Sequence, residues 1–467
     1  MSQTRDELCW MTISEAAPLI KRRELSPVEL TQAHLDRADA VDDRVKAFVT
    51  RIDDKAMAAA RAAESEIASG HYRGPLHGIP VSLKDFYDTA GVRTTAMSKI
   101  FADRVPDEDC TVAASLKGAG TVLLGKVSMS EFGLRGHPTS LFSIPNNPWN
   151  LNRSCGQSSS GSAASLAAGV SMGSFGSDSG GSLRNPAHSV GIVGLKPTFG
   201  RVSRYGVIPC SHSMDTTGPM ARSVADIAAL LQATAGHDPH DPYSSKEPVP
   251  DYSANLNDGI KGLRIGVPRD YFFNKDGGAD PETLDLAEQA IDVLEGLGAQ
   301  VKEVTIPSVA DVRASQGVIM ISEAFAYHRQ FLRDRHDEYG PVKFRFMLGA
   351  LYTAEDYLQA QLLRSRICRE VAEVFEQVDI IATPSMPRPA SVQGDMGHPF
   401  SSLGGLNFLV VFNATGHPAI SVPCGFTGEG MPVGLQLAAR PFQEAALLTA
   451  ANAYQQSTDW HTKHPVL

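Results

Sequence analysis

The chain is expected to fold as one large α/β domain, layered α/β/α around a central mixed β-sheet that helices cover. Three observations support this. Helical and strand-like segments alternate along most of the 467 residues, apolar residues make up 42% and charged residues 20%, and no tether divides the chain. Such alternation argues for a sheet buried on both faces. The composition is that of a globular protein, and large single α/β domains reach this length.

The elements follow in order. Ser26-Pro27-Val28-Glu29 reads as a capping box with proline at the first helical position, and Leu30, Ala33, Leu35 and Ala38 continue one apolar face. The Ala-rich run Ala56 to Ile67 predicts a second helix. The period then changes: Ile79 to Lys84 predicts a short strand leaving a Gly/Pro turn, and Thr121 to Gly125 another after a helix over Thr111 to Lys117. Further on, strands are expected at Leu263 to Val267, Val301 to Ile306, Ile380 to Thr383, Ala419 to Val422 and Gly434 to Leu437. Helices are expected at Pro281 to Leu297, Ala354 to Val378 and Gln443 to Gln455. The polar, proline-bearing stretch His237 to Asn255 predicts a surface loop or a seam, opening a variable region or small subdomain over about 237–400. No internal repeat is present.

Several function classes are disfavoured. A net charge of −10 with no Lys/Arg-rich block offers no field for a phosphate backbone, so direct nucleic-acid binding is not expected. The start, M-S-Q-T-R-D-E-L-C-W-M, has acidic residues where a signal peptide would be apolar, and no apolar run reaches the length of a membrane span. A cytoplasmic protein without membrane contact is expected. Six scattered cysteines (Cys9, Cys110, Cys155, Cys210, Cys368, Cys424) form no C-x-x-C pair, so neither a disulfide framework nor a zinc knuckle is suggested.

The chemistry concentrates between Ser154 and Ser182, a serine- and glycine-rich stretch ending G-S-D-S-G-G-S and flanked by the apolar runs Ala163 to Val170 and Val190 to Leu195. Apolar flanks mark a packed segment whose glycines serve backbone shape. Three other motifs fail. Gly120 to Val127 has P-loop spacing, but Val127 lacks the hydroxyl that holds magnesium. His237-x-x-His240 and His461-x-x-His464 lack a third ligand. Ser177-Asp178-Ser179-Gly180-Gly181 matches the nucleophile segment of trypsin-like proteases, which would make Ser179 the nucleophile, but that fold is all-β. Cys155 beside the cluster reads as packing. The surviving candidate is Ser182. With no His/Asp partner in hydrolase order, the candidate base is Lys84, which ends the apolar strand-like G-I-P-V-S-L-K-D, where burial would disfavour an ammonium and lower its pKa.

Taken together, G-I-P-V-S-L-K-D (Gly78 to Asp85), the Ser/Gly cluster, G-S-D-S-G-G-S-L-R-N-P-A (Gly176 to Ala187), G-L-K-P-T-F-G-R-V-S-R-Y-G (Gly194 to Gly206) and A-I-S-V-P-C-G-F (Ala419 to Phe426) resemble the amidase signature family. The resemblance covers about residues 70–235 and returns at about 415–467. It implies a Ser-cisSer-Lys triad of Ser182, Ser158 and Lys84: Ser182 attacks the carbonyl carbon and Ser158 relays protons to and from Lys84. It implies a cis peptide bond between Gln157 and Ser158, despite a cost of about 3 to 4 kcal/mol, with Ser158 lost to the relay if the bond is trans. The amides of Ser179, Gly180, Gly181 and Ser182 would receive the oxyanion. Asp178 and Arg184 would hold the nucleophile loop, and Gly133 would lend a backbone group to the pocket. The cluster Gly156 to Ser162 departs from the usual G-G-S-S-G-G-S at Gln157 and Ser160.

The resemblance implies an amidase that needs neither metal nor cofactor and takes a small-molecule amide; a homodimer is compatible with it. The alternative is the glutaminase subunit of a tRNA-dependent amidotransferase, which Val342 to Gly349 (V-K-F-R-F-M-L-G) echoes. That subunit typically carries an aspartate in the region corresponding to Leu406 to Phe412, which here is L-N-F-L-V-V-F, an apolar wall that would reject an ammonium. Esterase or carbamate hydrolysis uses the same groups. A non-catalytic scaffold is disfavoured, because all three triad positions are present. Met129, Phe132, Phe408, Val411 and Phe412 point toward an uncharged aryl or alkyl substrate.

Overall fold

A computed structural model of the chain describes residues 5–134, 141–394 and 406–467. The strands in chain order are β1 (Phe48–Arg51), β2 (Pro80–Lys84), β3 (Val122–Val127), β4 (Asn146–Asn147), β5 (Asn150–Ser154), β6 (Gly173–Asp178), β7 (Val193–Lys196), β8 (Thr216–Ala221), β9 (Arg264–Val267), β10 (Gln300–Glu303), β11 (Ile380–Pro384), β12 (Ala419–Phe426) and β13 (Pro432–Ala439). Apart from the β4–β5 hairpin they form one 11-stranded sheet, ordered β1-β3-β2-β6-β8-β7-β12-β13-β11-β9-β10. The sheet is mixed: β2 runs parallel to β3 and β6, whereas β6–β8, β7–β8 and β12–β13 are antiparallel. β9, β10 and β11 come from the region 237–400 and complete one end of this same sheet.

Every residue of β2, β6, β8 and β11 is buried, as expected of strands covered on both faces. The helix after Ser26 runs Pro27–Val45, and Ser26 caps it by accepting from the amides of Val28 and Glu29. The Ser26 hydroxyl itself donates to Glu64, so its proton is engaged outside the expected box. The predicted strand Val301 to Ile306 is shorter, Gln300–Glu303, because β10 is an edge strand paired only with β9 and Pro307 follows closely.

Among the helices with no sequence expectation are Ser160–Ala167, Val224–Thr234 and Val312–Arg335. All eight residues of Ser160–Ala167 are buried, so it shows no apolar stripe. It packs so closely on β6 that a Cβ at Gly176 would lie 2.8 Å from the Ser159 Cβ. Small residues therefore bring this helix and the sheet together beneath the C-terminal ends of β2 and β6.

Candidate active site

Lys84 is the last residue of β2. The parallel register sets Leu83 opposite Phe175, which brings Lys84 level with the end of β6 and beside Ser177. The Lys84 amine is buried and donates to three hydroxyls: Ser158 Oγ at 2.7 Å, Ser177 Oγ at 2.8 Å and Ser159 Oγ at 3.2 Å. It makes no ion pair among the described residues. Burial lowers its pKa from 10.5 to about 7, against weaker opposing fields from Cys210, Asp178 and Asp215. A neutral amine is thus accessible near pH 7, and its lone pair faces hydroxyl groups. Ser177 and Ser159 were not anticipated; the strand register of β6 is the signal that reveals Ser177.

The peptide bond between Gln157 and Ser158 is trans, and no cis peptide bond occurs among the described residues. This corrects the cis expectation; with the bond trans, Ser158 reaches the Lys84 amine and makes no hydrogen bond to Ser182 among the described residues. Gly156, at φ +89°, turns the chain here and lies against Asn185 and Pro186, leaving no room for a Cβ. A residue with a side chain is disfavoured at this left-handed turn.

Ser182 and Ser158 line one cavity of about 200 Å³ together with Ser179, Gly180 and Gly133, with no direct hydrogen bond between the two hydroxyls. The amides of Ser179, Gly180 and Ser182 have no hydrogen-bond partner among the described residues. The Gly181 amide differs, since it donates to Asp178 Oδ1 at 2.5 Å. It is therefore spent on the loop, and the expected set of four donors is reduced to three. Gly181 still demands glycine: its φ is +112°, and a Cβ would lie 2.9 Å from the Leu409 Cβ.

Asp178 and Arg184 form a wholly buried pair, Nε to Oδ2 at 3.0 Å. Burial favours the neutral Asp178 acid, but the Arg184 charge and hydrogen bonds from Arg184 and Asn413 prevail and hold its pKa at about 2. Arg184 also donates to Leu409 O at 3.0 Å, Gln436 Oε1 at 2.7 Å and Asn413 Oδ1 at 2.7 Å. One ion pair thereby ties the nucleophile loop to the segment around Leu409 and to β13. Gly133 has φ +76° and donates its amide to Ser130 O at 2.9 Å, so a backbone contribution to the cavity would come from its carbonyl.

Comparison with known proteins agrees with this architecture. The family profile described as Amidase matches residues 29–448. The chain belongs to the amidase signature family. A curated relative from Moorella thermoacetica, named as the A subunit of glutamyl-tRNA(Gln) amidotransferase, is 42% identical over 99% of this chain and 99% of its own length. Among solved structures, a chain of a vestigial protein complex linked to the origins of an s-triazine catabolic enzyme has a TM-score of 0.89 at 34% identity, over 96% of this chain and 98% of that one. The peptide amidase of Stenotrophomonas maltophilia has a TM-score of 0.84 at 30% identity, covering 96% and 97%.

The rest of this amidase-family cavity differs from the sequence-based expectation. Met129, Phe132, Phe408, Val411 and Phe412 are core residues and do not line it. Its outer wall instead carries Arg313, Gln316 and Met320, at i, i+3 and i+7 on the helix Val312–Arg335, together with Arg345 and Asn407. No carboxylate lines it among the described residues. Helical spacing on Val312–Arg335 could have grouped the first three, but nothing local says that this face meets Ser179 and Gly180 after β6.

The rejected motifs also find their places. The P-loop-like segment is β3, and its buried Lys126 donates to Thr94 Oγ1 at 3.0 Å and to the Tyr87 carbonyl. The Ser179 hydroxyl donates to Asp215. Cys155 is buried, with its thiol pKa raised by burial. No cluster of three metal-ligating side chains, and no helix long and apolar enough to cross a membrane, occurs among the described residues.

Proposed function

We propose that this chain hydrolyses a small carboxamide through an acyl-serine intermediate. Ser182 Oγ attacks the carbonyl carbon, its proton passes to Ser158 as the Ser158 proton passes to neutral Lys84, and the amides of Ser179, Gly180 and Ser182 hold the oxyanion. The C–N bond breaks as the same chain returns a proton to the departing nitrogen. Water then attacks the acyl-serine by the same relay, releasing acid and restoring Ser182. Relay contacts of this kind tighten on substrate binding, which the Ser158–Ser182 step requires. The observation that carries the reading is the buried amine 2.7 Å from Ser158 Oγ, with its pKa drawn down to about 7.

A fluorophosphonate probe tests the assignment: it should label Ser182 in the wild-type chain and not in Lys84→Ala. Labelling on Ser179 would overturn it.

A second reading, the glutaminase component of an amidotransferase, draws support from the relatives so named and from a run of exposed apolar side chains. Phe344, Met347 and Leu351 on and after the helix Val342–Leu348, and Leu358 and Leu362 on Ala354–Gln377, are exposed, as expected of a chain that works against a partner or a second copy. Ammonia release from simple amides by the purified chain alone, but not from glutamine, supports the first reading. Activity only with partner proteins and charged tRNA supports the second. A parallel panel of esters and carbamates sorts the leaving group.

A further inference from the structure

Gln316 lines the cavity beside Gly180, and the proposed relay makes no use of it. Its Nε2 lies 3.1 Å from the Ser179 carbonyl oxygen and 3.2 Å from Met320 Sδ. Neither of those atoms can donate, so the amide is oriented by chemistry: nitrogen toward Ser179, oxygen away. Oε1 has no hydrogen bond among the described residues and is not among the sealed polar atoms, so it opens on the cavity. Arg313 and Arg345 offer donors only, and the Asn407 oxygen already accepts from the amides of Leu409 at 2.9 Å and Val410 at 3.2 Å. Once a ligand displaces water, a bare Oε1 is costly unless the ligand supplies a proton to it.

The position of Gln316 indicates which proton. A Cβ at Gly180 would lie 2.9 Å from Nε2, so the side chain packs directly on the strand of amides proposed for the oxyanion. A carboxamide nitrogen is bonded to the same carbon as the oxygen those amides would hold. We propose that Gln316 is a specificity-determining residue: its Oε1 accepts an N–H of the bound carboxamide and so selects an amide over an ester of the same acid. The proposal rests on the reading of this cavity as the acyl-transfer site. An ester would set one unprotonated oxygen against another, and sites built to hydrogen-bond a substrate N–H discriminate strongly against analogues that lack it.

The test uses matched probes, the carboxamide and the methyl ester of acetic, benzoic and succinic acids (the succinates as monoacids), taking the pair that the wild type turns over best. In Gln316→Met and Gln316→Leu, kcat/KM for the amide should fall about 10- to 100-fold while the ester changes less than about 3-fold, so the amide-over-ester ratio collapses. Equal losses on both probes, or no change in the ratio, would overturn the assignment. Fluorophosphonate labelling of the same variants separates the two readings: labelling kept at Ser182 with the ratio unchanged removes the role of Gln316 alone, whereas labelling at another serine removes the acyl-transfer site itself.

Discussion

Replacing Lys84 by methionine keeps the stem and deletes the amine, and the structure predicts a change in stability that reverses with pH. The unfolded chain holds a proton on this lysine up to its ordinary 10.5, whereas burial lets the folded chain hold it only to about 7. Unfolding between those values takes up a proton, so the folded state is penalised by roughly 5 kcal/mol below pH 7; the penalty shrinks as pH rises and is gone above 10.5. Methionine escapes it. Against that, Ser158, Ser159 and Ser177 each lose a hydrogen-bond partner, together costing about 3 kcal/mol. Lys84→Met should therefore be more stable than the wild type by about 2 kcal/mol at pH 6 to 7 and less stable by about 3 kcal/mol near pH 10.5. Urea denaturation across that range, with midpoints converted to free energies, measures the difference. A gap that does not vary with pH would mean that the amine is solvated, and the base assigned to the relay would be lost with it.

The acid limb of kcat/KM should follow an apparent pKa near 7, with activity falling as pH drops and Lys84 gains its proton; a steady-state pH profile reads it directly. Gly181→Val should reduce kcat by about 100-fold or more, because its Cβ would crowd Leu409 and displace the neighbouring oxyanion amides; steady-state kinetics at saturating substrate reads that loss. Asp178→Asn leaves Arg184 buried without its partner and should cost roughly 3 to 5 kcal/mol, read from the urea midpoint at pH 7. In the wild type the Asp178 pKa lies at about 2 against an ordinary 3.8, so its contribution of about 2 kcal/mol is present above pH 3.8 and is lost as pH falls through 2, which acid titration of stability should show.

Where apolar spacing was periodic, the chain announced its own elements: the helices Pro281–Gly296 and Ala354–Gln377 lie within a residue of their predicted ends, and the helix Pro27–Val45 starts where expected. Segments made of small residues were silent. β6, Gly-Ser-Phe-Gly-Ser-Asp, and the helix Ser160–Ala167 are buried on every side, so neither shows the alternation or stripe that betrays a half-exposed element.

The sequence alone determined which residue types were available for the chemistry: a lysine closing an apolar strand, and serines spaced among glycines that permit tight turns. Only the tertiary structure decided what those groups meet. The parallel pairing of β2 with β6 sets Ser177 on the Lys84 amine, the segment leading into the helix Ser160–Ala167 brings Ser158 to it, Asp178 claims the Gly181 amide, and the helix Val312–Arg335 supplies Gln316 and Arg313 from more than a hundred residues away. Hydroxyl pairing and desolvation depend on distances between strands and helices remote along the chain, and local spacing carries no record of those distances.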